Sequence, residues 1–193
     1  MRIKFTKTQK KKIISLLIAL LVAGLGYYLN GQPLPPEVLG TVSPGYYRVT
    51  EAEDGDTISV DMSGKTERVR FIGVDTPETH DPRKPVQCFG QAASNFTKQL
   101  LGDQPVRLVT DDLSGNRDRY DRLLRYIYLP DGRLLQEEII RAGYGFAYTS
   151  FPFSKSELFK QLETEAHQQG RGLWGSCQPT ANEHGGYTSN PAN

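Results

Sequence analysis

The sequence contains three short segments in which carboxylates and arginines are concentrated. The segments are DGDT at 54–57, RFIGVDTPET at 70–79 and DRYDR at 118–122. Asp56 and Asp75 supply hard oxygen ligands of the kind that Ca²⁺ and Mg²⁺ prefer, and the backbone carbonyl of Thr76 is a further oxygen ligand. Carboxylates that are brought together without a partner repel one another. The segments therefore predict a cation site.

The same segments carry residues suited to phosphate chemistry. Arg70 and Arg122 can each make bidentate contacts with a phosphate, and guanidinium groups stabilise the negative charge that a phosphoryl transition state gains. Glu78 lies close to the acids in sequence and can accept a proton from water. A metal, a base and two arginines together indicate phosphodiester hydrolysis.

Each segment taken alone has a simpler structural explanation. DGDT is a common Asx turn at the start of a strand, and DTPE is compatible with a helix that begins at proline. A single arginine such as Arg70 or Arg122 is more often salt-bridged than catalytic. Tyr126 and Tyr128 are explained as strand and core residues rather than as a base-stacking platform. The catalytic interpretation depends on the combination.

The elements around these segments predict a small barrel with helices packed against it. Apolar and polar residues alternate at 57–62, and a Ser63-Gly64 turn leads to a second strand at 67–74. Further strands are predicted at 106–109 and 123–129, and helices after Phe89, from Leu135 and after a capping box at 154–157. This order suits a five-stranded barrel of the kind that binds oligonucleotides or oligosaccharides. We therefore predict an α+β fold.

The segments also resemble, in order and spacing, the staphylococcal (micrococcal) nuclease-like thermonuclease family over about residues 47–174. The matching segments are DGDT at 54–57, VRFIGVDTPET at 69–79, FGQAASNFTKQLL at 89–101, DRYDRLLRYIYLPDG at 118–132, IIRAGYGFAY at 139–148 and RGLW at 171–174. The resemblance implies an OB-fold, a five-stranded β-barrel with three α-helices. It also implies Ca²⁺-dependent hydrolysis of DNA and RNA that leaves 3′-phosphate ends.

The resemblance also implies a role for each matched position. The implied metal ligands are Asp56, Asp75 and the Thr76 carbonyl. The implied catalytic residues are Arg70, Glu78 and Arg122. The implied substrate contacts are Lys84 and Tyr120 at a terminal phosphate and Tyr148 near the base. Asp121 departs from the family pattern, in which a glycine precedes the second arginine, and we expect it to pair with Arg122 or Arg119. Ser150 stands where a second base-pocket tyrosine is often found.

The formal net charge of +1 conceals an uneven distribution. Residues 1–12 hold six of the 23 basic residues and no acid, so the remaining 17 basic residues face 22 acids and residues 13–193 sum to −5. An uncharged run at 13–29 follows the basic segment and would measure about 25 Å as a helix, near the lower limit for crossing a bilayer. We therefore predict a signal peptide or signal anchor at 1–29. Tyr27 and Tyr28 favour an uncleaved anchor.

The rest of the chain divides by composition into a linker, a domain and a tail. A spacer rich in proline and glycine is predicted at 30–44, a folded domain at 45–175 and a disordered tail at 176–193. Cys88 and Cys177 are the two cysteines, and the sequence leaves open whether they form a disulfide or stay free. Three scattered histidines and two cysteines argue against a zinc site.

These features together predict a monomeric, Ca²⁺-dependent nuclease that acts on DNA and RNA outside the cytoplasmic membrane. The N-terminal segment would anchor it there, or the protein would be secreted if that segment is cleaved. A non-catalytic nucleic-acid-binding module on the same barrel is the alternative, because related domains can lose a site and keep binding. That alternative predicts loss of the acids and arginines, which are all present. An oligosaccharide-binding barrel would instead favour exposed aromatic residues.

Overall fold

The structure is a computed structural model, and it describes residues 45–79, 85–182 and 186–192. The predicted anchor at 1–29, the predicted linker at 30–44 and Lys84 all lie outside the described residues. Within the described ranges, no helix has the length and apolar character needed to cross a membrane. The membrane prediction concerns 13–29, so it stays a prediction.

A closed five-stranded barrel forms the centre of the domain. Its strands are β1 (Tyr46–Ala52), β2 (Thr57–Met62), β3 (Lys65–Phe71), β5 (Val106–Val109) and β6 (Leu123–Tyr128), and β4 (Val74–Asp75) lies outside it. The strands are ordered β1-β2-β3-β6-β5, and β5 closes the barrel on β1. The β3–β6 pair is parallel and the other pairs are antiparallel. The predicted hairpin is confirmed, with Ser63 and Gly64 at φ 58° and 87° as a two-residue hairpin turn requires.

The alternation of side chains fills the barrel interior. Ile58, Val60 and Val69 are completely buried, as is Ile127 on β6. Strand β1 is the barrel strand that the pattern did not predict individually. Its pairing with β2 shifts register between Val49 and Glu51, and such a bulge interrupts the alternation on which a strand prediction depends.

Three helices pack on the barrel, followed by a single helical turn. They are α1 (Gly90–Leu101), α2 (Leu135–Arg141) and α3 (Ser156–Gln168), and the turn is α4 (Leu173–Ser176). The predicted α+β barrel with three helices is therefore confirmed. The predicted capping box is wrong, because α3 begins after Lys155 without a side-chain cap. Ser154 instead donates hydrogen bonds to Asp111 from both its backbone N–H and its hydroxyl.

The C-terminal segment is ordered where it is described, so the prediction of a disordered tail is wrong for those residues. Strands β8 (Thr180–Ala181) and β9 (Tyr187–Thr188) form a short antiparallel hairpin. The ring of Tyr187 meets the ring of Trp174 edge to face, with centroids 4.9 Å apart. Cys88 and Cys177 form a disulfide, with Cα atoms 6.1 Å apart. The hairpin, the aromatic contact and the disulfide thus hold this segment in place, although its sequence has no hydrophobic periodicity.

Candidate active site

The DGDT segment is an acidic turn that α1 holds against the barrel. The backbone N–H of Asp56 donates to the Asp54 carboxylate (2.9 Å), which closes the Asx turn. The hydroxyl of Thr97, on α1, donates to the carbonyl of Gly55 (2.7 Å), and Thr97 is completely buried. A Cβ at Gly55 would lie 2.7–2.8 Å from side-chain atoms of Thr76. Glycine therefore allows this turn to approach Thr76, the residue that follows β4.

Asp56 joins the acidic turn to the segment after β3. One of its oxygens, Oδ2, accepts hydrogen bonds from the backbone N–H (2.9 Å) and the hydroxyl (3.1 Å) of Thr76. The other oxygen accepts from the Thr57 hydroxyl (3.0 Å). Asp56 is buried, yet these donors are neutral. Its charge therefore has to be balanced by a nearby cation.

Arg70 is the protein cation that balances these acids. Its Nη2 lies 2.7 Å from Asp75 Oδ1 and 3.2 Å from Asp56 Oδ2. Its Nη1 donates to the carbonyl of Val74 (2.6 Å), which begins the short strand β4. Burial alone would lower the pKa of Arg70, but Asp56 and Asp75 raise it above its ordinary value. Arg70 is therefore a fixed positive charge at the end of β3.

Three acids are concentrated around Arg70 at this end of the barrel. Burial, followed by the negative charge of Asp56, raises the pKa of Asp54 to about 7. Asp75 keeps 46% of its side chain exposed. Asp54, Asp56 and Asp75 thus lie close together around the Arg70 guanidinium, and a divalent cation beside them would offset their mutual repulsion.

Strand β4 fixes the position of Asp75. Residues Val74 and Asp75 pair with Ala147 and Phe146 of a second short strand, β7 (Phe146–Ala147). A Cβ at Gly145 would lie 3.0 Å from the backbone oxygen of Asp75. The β4–β7 pair therefore packs closely beneath the acid, and neither two-residue strand carries a periodic signal in the sequence.

Arg122 is held by Asp118 at the start of β6. Its Nε and Nη2 lie 2.7 Å and 2.6 Å from Asp118 Oδ2. The other oxygen of Asp118 accepts the backbone N–H groups of Tyr120 (2.9 Å) and Arg122 (3.0 Å). Burial alone would raise the pKa of Asp118, but the hydrogen bonds from Arg122 and Tyr120 lower it below its ordinary value. One carboxylate thus folds the loop and orients the guanidinium.

Asp121 does not pair with Arg122 or Arg119, so the expectation for this residue is wrong. Its side chain is 88% exposed and lies 3.5 Å from Arg117, which also donates to its carbonyl (2.6 Å). Asp121 has a φ of 62°, in the left-handed region that glycine adopts most readily. The backbone therefore explains why glycine suits this position, and aspartate is one of the residues that tolerate it.

Glu78 follows the acidic segment, and its backbone is held by Gln87. The side-chain carbonyl of Gln87 accepts the Glu78 N–H (2.7 Å), and the Gln87 N–H donates to the Glu78 carbonyl (2.9 Å). One carboxylate oxygen of Glu78 accepts the Thr79 N–H (2.9 Å). The residue as a whole is partly exposed to solvent.

A cavity of about 430 Å³ brings most of the predicted site residues together. Its lining includes all three predicted catalytic residues, all three predicted metal ligands and one predicted substrate contact, namely Arg70, Glu78, Arg122, Asp56, Asp75, Thr76 and Tyr120. Tyr148 is not part of this lining, and its ring lies 5.9 Å from that of Phe151. Lys84 lies outside the described residues. The cavity therefore joins segments that are up to 68 residues apart in the chain.

Three residues that contribute to this site were not assigned a role from the sequence. Arg119 lines the cavity and lies over the Tyr120 ring, with 4.8 Å between its guanidinium carbon and the ring centroid. Asp118 orients Arg122, and Gln87 holds Glu78. Asp118 stands four residues before its arginine, a spacing that points to a local ion pair. Gln87 carries no comparable signal.

The carboxylates at the cavity are oxygen ligands of the type that hard divalent cations such as Ca²⁺ prefer. Asp56 and Asp75 provide carboxylates, and Ca²⁺ binds six to eight oxygens that can include carbonyls and water. Across the described ranges, no group of three or more histidine, cysteine, aspartate or glutamate side chains is placed to hold a metal. A cation here would therefore depend on two carboxylates, with the remaining oxygens supplied by the backbone, water or substrate.

Known proteins are similar in sequence to most of the chain. The family model described as "Staphylococcal nuclease homologue" matches residues 68–176, more than half of the chain. The thermonuclease of Staphylococcus hyicus is 34% identical over 163 residues, which is 84% of this chain and 95% of that protein. The thermonuclease of Staphylococcus intermedius is 39% identical over 163 residues, which is again 84% of this chain and 95% of that protein. Endonuclease YncB of Bacillus subtilis (strain 168) is 39% identical over 125 residues, 64% of this chain and 58% of that protein.

Proposed function

Since this chain belongs to the staphylococcal nuclease family, we propose that it is a Ca²⁺-dependent nuclease that hydrolyses phosphodiester bonds of DNA and RNA to leave 3′-phosphate ends. The observation that carries the proposal is the cavity in which Arg70 and Arg122 face Glu78, each arginine being held by a carboxylate. Relatives named as thermonucleases and endonucleases support the nuclease activity itself.

The two arginines would bind the scissile phosphate and stabilise the transition state. Arg70 comes from the end of β3 and Arg122 from the start of β6, so a phosphate in the cavity would contact two independent guanidinium groups. Because Asp75 and Asp118 already orient them, little reorganisation is needed as negative charge develops on the phosphoryl oxygens.

Glu78 would position the attacking water and accept its proton at a carboxylate oxygen. Glu78 lines the same cavity as both arginines. General-base catalysis of this kind typically contributes 10²–10⁴-fold to a rate. The Thr79 N–H, which donates to one carboxylate oxygen, would fix the orientation of the group.

Asp56, Asp75 and the Thr76 carbonyl would hold Ca²⁺. A bound divalent cation supplies Lewis-acid stabilisation of charge on a phosphoryl oxygen. Asp54 would contribute negative charge behind these ligands while its own oxygen accepts the Asp56 N–H. Lys84 and Tyr120 would contact a terminal phosphate of the substrate, and Tyr148 the base.

We also propose that the protein acts outside the cytoplasmic membrane as a monomer. The basic segment at 1–12 and the uncharged run at 13–29 support export. The Cys88–Cys177 disulfide supports an oxidising compartment, in which such bonds persist. Determination of the N-terminal residue of the exported protein would distinguish an anchored from a cleaved form.

The proposed activity is tested by incubating the purified full-length chain with single-stranded DNA and with RNA. Mild detergent would keep the 13–29 segment in solution. We expect cleavage of both substrates with Ca²⁺, none after chelation, and 3′-phosphate ends on the products. The absence of Ca²⁺-dependent cleavage would contradict the proposal, and binding without cleavage would favour the non-catalytic module.

A further inference from the structure

Gln87 makes a two-point contact with the backbone of Glu78. Its Oε1 accepts the Glu78 N–H at 2.7 Å, and its own N–H donates to the Glu78 carbonyl at 2.9 Å. Both polar groups of the Glu78 peptide backbone are therefore bound by one residue. Glu78 lies in an irregular segment after β4, so no regular secondary structure fixes its backbone. The two hydrogen bonds to Gln87 therefore help to fix the position of the Glu78 backbone, from which the side chain extends.

The C-terminal segment, in turn, holds Gln87 in place. We call residues 186–192 the C-terminal strap. The carbonyl of Asn190 accepts the Cys88 N–H (2.7 Å), and the Ser189 hydroxyl donates to the Cys88 carbonyl (2.8 Å). The Ala192 N–H donates to the Val86 carbonyl (2.8 Å). The strap therefore makes backbone contacts with the residues on both sides of Gln87, and Pro191 lies opposite Gln87 itself in an antiparallel bridge.

Burial of Ser189 and aromatic packing of Tyr187 also fix the strap to the domain. Ser189 is buried, with 3% of its surface exposed. Tyr187 packs against Trp174 at 4.9 Å and against Phe146 at 6.2 Å between ring centroids. The disulfide between Cys88 and Cys177 covalently joins the residue that follows Gln87 to the residue that follows α4. The strap and the disulfide thus restrain the same segment from two sides.

We propose that the C-terminal strap is a positioning element for Glu78, acting through Gln87. This inference rests on the proposed role of Glu78 as the group that accepts a proton. The family model ends at residue 176, so the strap lies outside the segment that the model matches. In the absence of the strap, the residues on either side of Gln87 would lose three hydrogen bonds, two between backbone groups and one from the Ser189 hydroxyl, and Glu78 would sample positions away from the attacking water.

A positioning role predicts an effect on kcat rather than on substrate binding. Misplacement of a catalytic group by about 1 Å costs up to about 10²-fold in rate. We expect Gln87→Ala and deletion of residues 178–193 each to lower kcat by about 10-fold or more, with KM changed by less than about twofold. Ser189→Ala should show the same direction with a smaller effect.

The test combines cleavage kinetics with amide hydrogen exchange of the full-length chain. Exchange at the Glu78 N–H reports on the Gln87 hydrogen bond and does not require activity. We expect that N–H to exchange at least about tenfold faster in Gln87→Ala and in the 178–193 deletion. Gln87→Glu keeps an acceptor oxygen and should restore protection. Ser114→Ala is the matched control, because it also removes a hydroxyl-to-carbonyl hydrogen bond (3.2 Å, to Pro152) but lies on another loop.

The outcomes separate this inference from the proposed function. If the wild-type chain cleaves DNA, Glu78→Gln does not, and the deletion leaves both kcat and Glu78 exchange unchanged, the strap has no positioning role. If the wild-type chain cleaves nothing, the proposed function fails. In that case, an unchanged exchange rate of the Glu78 N–H in the 178–193 deletion would still overturn the inference that the strap holds Glu78 in place. Faster exchange with lowered kcat, absent in Ser114→Ala, would support it.

Discussion

Replacement of Asp118 by asparagine tests whether the orientation of Arg122 matters for catalysis. In the wild type, Asp118 Oδ1 accepts the backbone N–H groups of Tyr120 and Arg122, and Oδ2 accepts the Arg122 side chain. In Asp118→Asn, the amide NH₂ replaces one of these two oxygens and so faces either the two backbone N–H groups or the guanidinium. Donors face donors in both cases. A charge-assisted hydrogen bond contributes about 1.5–3 kcal/mol. Arg122 makes one such bond to Oδ2 through Nε, and its Nη2 lies 2.6 Å from the same oxygen in an ion pair.

We expect this substitution to lower kcat/KM on single-stranded DNA by about 10- to 100-fold, since Arg122 would no longer be held towards the phosphate. Stability should fall by about 1–2 kcal/mol because the residue is largely buried. Urea denaturation measures the second effect and separates it from the first. Asp121→Asn is the matched control, because its exposed side chain contacts Arg117 and not Arg122. Wild-type kcat/KM in Asp118→Asn would refute the reasoning.

Three further predictions concern stability. Burial alone would raise the pKa of Asp111, but hydrogen bonds, chiefly from Ser154, lower it to about 2. The ionised carboxylate should therefore add about 1 kcal/mol to the free energy of unfolding above about pH 4, once solvent screening is taken into account. This contribution should disappear as the pH falls towards 2 and be absent from Asp111→Asn, as urea titrations at several pH values would measure. Asp121→Gly should raise the free energy of unfolding by about 0.5–1 kcal/mol, because φ is 62° there; an unchanged value would contradict the strain argument. Gly55→Ala should lower the free energy of unfolding by about 1–3 kcal/mol, since the new Cβ would press on Thr76, and an unchanged melting temperature would contradict that packing argument.

The barrel could be predicted from the sequence where side-chain alternation is uninterrupted. Strands β2, β3, β5 and β6 follow clear apolar patterns, and α1 begins where helical spacing predicts it. The bulge in β1 hides its alternation, and the capping-box pattern at 154–157 was misleading because Ser154 hydrogen-bonds to Asp111, 43 residues earlier in the chain. A partner so distant in sequence has no local signature. The tail hairpin was missed because aromatic contacts and a disulfide hold it.

The candidate site could be predicted to a similar extent and for related reasons. The acids and arginines carry recognisable spacing, and seven of the nine predicted site residues line one cavity. The remaining two are Tyr148, which lies beside Phe151, and Lys84, which lies outside the described residues. Gln87 was missed because residue type does not distinguish a glutamine that binds the backbone of another residue from any other surface glutamine. Asp118 carried a local signal, its spacing of four residues from Arg122, but no role was assigned to it. Their roles depend on geometry that only folding creates.

The most direct test of the proposed site is the single-turnover rate of single-stranded DNA cleavage by wild type and by Glu78→Gln, with saturating Ca²⁺. The substitution keeps the length and an acceptor oxygen of the side chain, so the hydrogen bond from Thr79 can persist while proton acceptance is lost. The expected result is a rate lowered by about 10²-fold or more, with DNA binding retained. Cleavage by Glu78→Gln at the wild-type rate would contradict the assignment of the cavity as the active site.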